Sequence, residues 1–399
     1  MLARQIIAEI FVKKDCHKKG HGDYPMKRIS MLFGVAALCT VCSARAQSTM
    51  TLYGVLDNSI QYVHNNGGSN NSLSLQSSQM QPSVWGLKGS EDLGGGLSTL
   101  FTLESQIDLN NGALATDGLF NRQAYVGLKS DTYGTVTFGH QLDGLFDLLM
   151  PVQGNYFLEY FTSPGDVDLA DGTLKINNAV KWLSPNWGGL QTALQYGFGN
   201  VAGALGSGQS YSAALNYSVG SLILAGGYFH ADNGNERYSA RGESSANGGF
   251  FSPVNRAYAT ASRYNIARAG AAYAAGPLTF GAYYSYVEYL ADADSTFLNS
   301  ERFNNASTFV AWQTTPEVTL EVGYNFMKSH GDSSATYHQV TFAADYALSK
   351  RTDLYFSAGY GHASGTNGEG PAQAVIADSY TSGGTSSQEI AIVGVRHRF

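Results

Sequence analysis

Cysteine, charge and long apolar runs are all scarce in this chain of 399 residues. Charged residues make up 14% of it, and its three cysteines (Cys16, Cys39 and Cys42) lie near the N-terminus. Beyond that region no continuous apolar stretch reaches the ~18 residues that a membrane-spanning helix needs. These shortages exclude a helical membrane protein and argue against a fold held together by disulfides.

Glycine and aromatic residues are abundant instead. The chain has 47 glycines, and aromatic residues account for 12% of it. Many turns and many aromatic or β-branched strand positions would use this composition well. It therefore favours an all-β protein.

The N-terminal region has the features of a secretory signal peptide over residues 26–46. Lys27 and Arg28 precede the apolar stretch 29–41, and Ala44-Arg45-Ala46 is a small-x-small cleavage site. Residues 1–25 come before a normal signal and are either an upstream start assignment or an unusual extension. We predict that the mature domain is 47–399, which contains no cysteine.

Removal of this segment makes the chain more acidic. Eight of the 24 Lys and Arg and three of the 31 Asp and Glu lie in residues 1–46, which leaves 16 basic and 28 acidic residues and a net charge of −12. Such a balance argues against a nucleic-acid partner.

Long segments that alternate between apolar and polar residues predict β-strands. In residues 97–108, Leu97, Phe101 and Leu103 share one face, and Glu104 lies on the other. We predict sixteen such strands at 49–63, 78–90, 97–108, 121–130, 134–141, 174–183, 189–197, 209–219, 221–230, 262–274, 278–287, 305–313, 317–328, 336–347, 352–362 and 388–399.

The connections between these strands alternate between short and long. In an up-and-down sheet this pattern gives one trimmed rim and one elaborate rim, which is typical of outer-membrane barrels with short periplasmic turns and long outer loops. The apolar faces carry no charge, whereas the polar faces are mostly Ser, Thr, Gln, Asn and Gly. The fold predicted is a closed antiparallel transmembrane β-barrel of sixteen strands, because only a closed sheet pairs every backbone group in lipid. A soluble β-sandwich or propeller is the alternative.

Five segments resemble the general porins of Gram-negative outer membranes, especially the trimeric sixteen-stranded porins of β-proteobacteria. They are residues 52–57, 86–97, 120–128, 134–139 and 393–399. The resemblance implies a homotrimer in the outer membrane, surrounded by lipid and lipopolysaccharide, through which small hydrophilic solutes and ions diffuse passively. It also implies that Phe399, the terminal aromatic residue, is the signal for the barrel-assembly machinery.

In this family the third long loop folds into the barrel and narrows it. The corresponding connection here, residues 142–173, contains Asp143, Asp147 and Glu159 among six acidic residues and has no Lys or Arg. Acidic side chains on this loop would face basic ones on the wall and create a transverse field. An ordinary solvated surface loop is the alternative interpretation.

The basic wall that the family pattern implies is thinner in this sequence. Arg122 and Lys175 match basic positions of the family, Lys181 lies on the same face as Lys175, and Glu104 lies on a polar strand face. Two positions depart from the pattern, because Val84 and His140 occupy places where a basic residue is expected. With fewer wall cations opposite an acidic loop, we expect a cation-preferring or weakly selective pore.

Two other functions are compatible with a barrel. An outer-membrane hydrolase would need a convergent Ser/His or Asp/His site, and the nearest pairs are His140 with Asp143 and His230 with Asp232. No Gly-x-Ser-x-Gly, His-Glu-x-x-His or cysteine ligand set occurs, so we predict no enzyme, no cofactor and no metal. A surface adhesin or receptor would use the long Gly/Ser-rich loops 231–261 and 363–387.

Overall fold

The computed structural model describes residues 48–158, 160–234, 237–246, 248–377 and 383–399. The predictions for residues 1–25 and 26–46 and for Glu159 lie outside the described residues. Within that part of the chain no helix is both long and apolar enough to cross a membrane.

The described residues form sixteen strand positions in one closed antiparallel barrel. Sequential strands pair with each other, and the last pairs with the first from Val55 opposite Arg398 to His64 opposite Glu389. The strands are β1 Thr49–His64, β2a Asn71–Ser77 with β2b Val84–Gly94, β3 Leu97–Gln106, β4 Gln123–Ser130, β5 Gly134–Leu142, β6 Lys175–Leu183, β7 Leu190–Gly197, β8 Ser210–Val219, β9 Leu222–Asp232, β10 Arg263–Ala275, β11 Leu278–Leu290, β12 Glu301–Gln313, β13 Val318–His330, β14 Ser334–Ala347, β15 Thr352–Asn367 and β16 Ser387–Arg398, and Gly370–Pro371 adds a two-residue strand beside β15.

The second strand differs from its predicted bounds. Both of its segments pair with β1, and residues 78–83 leave the sheet between them. The carboxylate of Asp57 accepts the backbone N–H groups of Met80 (3.1 Å) and Gln81 (2.8 Å), and Ser83 Oγ donates to the Asp57 carbonyl (2.9 Å). The prediction of a strand at 78–83 was therefore wrong, because the side chain of Asp57 replaces the sheet partners of these residues. The prediction of a loop at 71–77 was also wrong, because these residues pair with β1.

The two rims have the predicted asymmetry. Turns of a few residues join β2b to β3, β4 to β5 and the equivalent later pairs, whereas the other rim carries the long connections. The first strand begins and the last strand ends at the trimmed rim. There Phe399 N–H donates to the Gly54 carbonyl (3.0 Å), and Gly54 N–H donates to the Phe399 carbonyl (3.2 Å). The ring of Phe399 covers Gly54, and a side chain at that position would collide with it.

Apolar side chains cover the outside of the barrel, and polar ones face the inside. Val322 and Val340 are each 48% exposed on the outer surface, whereas Glu321, Asn325 and Gln339 on the alternate positions are buried. The alternation predicted for β13 and β14 is confirmed. A surface of this kind suits hydrocarbon outside and polar contents inside.

Regular alternation fails in β5 and β6. Gly139 has a φ of 142°, and the pairing of β5 with β6 shifts register between Gly139 and Gln141. Asn178 in β6 adopts a φ of 51°, in the left-handed region that asparagine tolerates. Uniform alternation puts Ile176 on the outside, but Ile176 is 1% exposed and packs beside Gly197 within the barrel. That expectation was wrong because irregular backbone resets the faces.

The third long connection, here called loop 3 (residues 143–174), lies inside the barrel. It contains the helix α1 Gly144–Leu149 and the 3₁₀ turns Met150–Val152, Gly154–Tyr156 and Pro164–Asp166. Its apolar side chains occupy hollows over wall glycines, with Leu145 over Gly227, Val152 over Gly270 and Phe161 over Gly323. Loop 3 therefore lies against β9, β10 and β13 and leaves the opposite wall uncovered.

Candidate pore constriction

A polar cavity of about 1100 Å³ lies between loop 3 and the wall formed by the first six strands. Loop 2 (residues 107–122) contributes to its outer part. Side chains that can donate or accept hydrogen bonds dominate the lining, which includes Gln61, Gln76, Gln79, Asp108, Asp117, Asn121, Arg122, His140, Tyr160, Asp171, Lys175 and Asn177. Water and hydrated ions can therefore be solvated along this side of the barrel.

Arg122 and Glu104 form an ion pair on the wall. The Nε of Arg122 lies 2.8 Å from Oε1 of Glu104, and the two side chains are 13% and 8% exposed. Tyr53 donates its hydroxyl hydrogen to Oε2 of Glu104 at 2.8 Å. The pair orients the guanidinium within the lumen, and it also offsets much of the arginine charge.

Lys175 and Lys181 lie on β6, and each donates a hydrogen bond near one end of loop 3. Lys175 lines the cavity and donates to the Thr173 carbonyl at 2.9 Å. Lys181 forms an ion pair with Asp147 of α1 and donates to the Leu142 carbonyl at 3.1 Å. An acidic residue of loop 3 thus contacts a basic residue of the wall.

His140 lines the same cavity, at the bulge in β5. Its Nδ1 lies 2.6 Å from Oδ1 of Asn177, and its Nε2 lies 3.1 Å from the Asn121 carbonyl oxygen. Sequence alternation did not place His140 in the lumen, because it requires the bulge at Gly139.

The structure places Asp143 and Val84 away from the cavity lining. Asp143 is buried at the start of α1, and its Oδ2 lies 3.9 Å from a guanidinium nitrogen of Arg268. Val84 is also buried, at the start of β2b opposite Val55. Sequence reasoning did not identify Arg268, which also donates to Gln153 of loop 3 at 3.3 Å. Its signal in the sequence is an arginine flanked by alanines in the middle of a strand.

In the two pairs considered for catalysis, each histidine forms its hydrogen bonds with groups other than the paired aspartate. His140 contacts amide groups, and His230 contacts Oδ1 of Asn265 at 2.7 Å and stacks on Tyr211. No group of three His, Cys, Asp or Glu side chains suited to a metal ion occurs among the residues that the structure describes.

A closed sixteen-stranded barrel with an apolar outer band, a polar lumen and a loop folded inside it defines an outer-membrane channel. Its family is the Gram-negative porins, to which this chain belongs, because the model of that family matches residues 34–366. The barrel therefore resides in the Gram-negative outer membrane.

Known proteins similar to this chain cover nearly its whole length. Outer membrane porin protein 32 of Delftia acidovorans is 28% identical over 92% of this chain and 99% of its own. The anion-selective porin from Comamonas acidovorans superposes with a TM-score of 0.67 at 23% identity, over 88% of this chain and all of its own. The trimer form of OmpT of Vibrio cholerae superposes with a TM-score of 0.62 at 15% identity, over 88% and 99%. At these levels of identity the two structures share the fold.

Proposed function

We propose that this porin is a diffusion channel for small hydrophilic solutes and ions and that it prefers cations or is weakly selective. The observation that carries the proposal is the charge of the cavity beside loop 3. Among its described lining residues, Asp108, Asp117 and Asp171 stand against Arg122 and Lys175. The ion pair with Glu104 offsets the charge of Arg122.

The physical effect of this balance depends on distance and solvent. Two unit charges 6 Å apart in water interact by about 0.7 kcal/mol, which changes a local ion concentration about threefold. In a narrow lumen, an excess of carboxylates therefore attracts cations and repels anions. The composition of the mature chain adds to this preference for cations, because it contains 28 acidic and 16 basic residues.

The proposed preference is opposite in sign to that of the anion-selective porin from Comamonas acidovorans. At 23% identity the fold is common to both proteins, but the side chains that line the two pores need not agree. In this chain the ion pair between Glu104 and Arg122 weakens the positive wall.

Reversal potentials in a KCl gradient across a planar bilayer test the proposal. We expect a potential of the sign that potassium preference gives. Lys175→Gln should raise the ratio of potassium to chloride permeability, and Asp171→Asn should lower it by a similar factor of about ten, since the concentrations of the two ions change about threefold in opposite directions. A clear chloride preference in the wild-type channel would refute the cation preference, and a folded barrel without conductance would refute the channel.

We also propose that the channel is a homotrimer, that lipopolysaccharide and lipid surround it and that Phe399 is recognised by the barrel-assembly machinery. The trimer form of the structurally similar OmpT supports the first point. Mass measurement of the detergent-solubilised protein, with conductance steps that arrive in threes, tests it. A monomeric mass with single steps would contradict it.

A further inference from the structure

His140 occupies a position in the lumen that the backbone irregularity creates. Phe138, two residues earlier, is 48% exposed on the lipid-facing side. Regular alternation would return residue 140 to that side, but the register shift after Gly139 turns it into the cavity. Within the part of the chain that the structure describes, its ring nitrogens form hydrogen bonds with the side-chain amide of Asn177 and the backbone carbonyl of Asn121.

We propose that His140 is a specificity-determining residue of this pore, and that protonation of its ring adds a positive charge to the constriction and weakens cation preference in acid. This inference rests on the proposed channel function. It adds a dependence on pH that a fixed arginine or lysine at the same position would not supply, because an imidazole ring exists in a neutral and a charged form.

The hydrogen bonds around the ring accommodate both protonation states. An imidazolium donates from both nitrogens, and the two facing atoms, Oδ1 of Asn177 at 2.6 Å and the Asn121 carbonyl oxygen at 3.1 Å, are both acceptors. A neutral ring keeps one N–H, which continues to donate from Nε2 to Asn121. A half-turn of the Asn177 amide then presents its NH₂ group to the unprotonated Nδ1. The switch needs one side-chain rotation and no movement of the strands.

Charged groups line this cavity from loop 2, loop 3 and the start of β6. Loop 2 contributes the carboxylates of Asp108 and Asp117 and, at its end, the guanidinium of Arg122, which pairs with Glu104 of β3. Loop 3 contributes the carboxylate of Asp171, and the start of β6 contributes the ammonium of Lys175. In water, carboxylates titrate near pH 4, whereas ammonium and guanidinium groups titrate above about pH 10. A comparison between pH 5.0 and pH 7.0 therefore favours the imidazole as the group that changes charge.

The experiment measures reversal potentials in a KCl gradient at pH 5.0 and pH 7.0, with purified channels that show the heat-modifiable mobility of a folded barrel. In the wild type, the ratio of potassium to chloride permeability should fall about tenfold from pH 7.0 to pH 5.0, because one unit charge acting across ~6 Å of water changes the local concentrations of the two ions about threefold each in opposite directions. His140→Gln should abolish this response, and His140→Arg should hold the low ratio at both pH values.

His338→Gln is the matched control. His338 lies on the outer surface of β14, where Nδ1 contacts the Tyr324 hydroxyl at 2.7 Å and the ring packs near Phe326. The pH response of this variant should equal that of the wild type.

The outcomes separate this inference from the proposed function. A wild-type ratio that does not change with pH, or a response that persists in His140→Gln, would overturn the role of His140 while the channel itself stands. Chloride preference at pH 7.0 would instead refute the proposed selectivity, and absence of conductance would refute the proposed channel.

Discussion

The contact between Phe161 of loop 3 and Gly323 of β13 allows a direct test of what holds loop 3 against the wall. Phe161 is 1% exposed, and its ring fills the space that a side chain at Gly323 would need. A Cβ at Gly323 would lie 2.5 Å from Cε1 of the ring and nearer still to Cδ1. Gly323→Ala must therefore displace the ring, because the three heavy atoms nearest to the added Cβ all belong to Phe161.

The cost follows from the buried surface. Burial of a phenylalanine side chain contributes about 1.5–3 kcal/mol, and insertion of a methyl group into a packed site costs about 1–3 kcal/mol. A loss of about 2 kcal/mol in anchoring raises the population of displaced loop conformations about thirtyfold. Loop 3 released from β13 can move only toward the open side of the lumen.

Single-channel recording should then show a lower mean conductance and more frequent brief closures in Gly323→Ala. Gly226→Ala is the matched control, because Gly226 also lies within a strand and the nearest atom to an added Cβ is 3.5 Å away. In a Phe161→Ala background the Gly323→Ala change should cost little, since the methyl group fills part of the emptied hollow. Traces of Gly323→Ala that match those of Gly226→Ala would refute the anchoring role of this contact.

The remaining predictions concern ion pairs. Asp353 is 1% exposed and binds Arg396 of β16 through both carboxylate oxygens at 3.0 and 3.1 Å, so Asp353→Asn should destabilise the barrel by about 3 kcal/mol in thermal unfolding. Arg302→Gln, at an arginine whose side chain is 50% exposed, should leave the unfolding temperature unchanged, and equal effects of the two changes would contradict this ranking. On the outer rim, burial alone would raise the pKa of Asp292, but hydrogen bonds from Arg241 and a serine outweigh burial and hold that pKa below its ordinary value of 3.8. The ion pair with Arg241 therefore stabilises the folded state at pH values above 3.8, and this stabilisation is lost as the pH falls through the lowered pKa of Asp292. Hydrogen exchange in residues 291–300 should be faster in Arg241→Gln than in the wild type at pH 7 and equal in the two proteins in strong acid; equal rates at pH 7 would exclude this role.

Much of the barrel could be predicted from the sequence, because the strand pattern repeats with a period of two and short turns separate pairs of strands. The bounds of β3, β5 and β8 lie within about two residues of those predicted. The second strand could not be predicted, because its interruption depends on Asp57, which is distant in sequence from the N–H groups that it binds.

The candidate constriction was less accessible to sequence reasoning. Acidic residues of the third long connection were recognisable as a group, but their individual positions depend on how loop 3 packs. Asp147 meets Lys181, whereas Asp143 is buried next to Arg268. The glycine hollows that receive Leu145 and Phe161 leave no local signal, since a glycine within a strand has several explanations.

The seam between β1 and β16 has a consequence for biogenesis. It joins residues that are far apart in the chain. For example, the Asn65 side chain donates a hydrogen bond to the carbonyl of Ser387, which is 322 residues away in sequence. Until that pairing forms, β1 presents an unpaired edge, and such an edge is a template for association with other chains. Loop-closure entropy opposes so distant a contact. The free edge of the first strand therefore has no partner until the last strand is in place. A carrier protein that binds this edge during transit would protect the chain from aggregation.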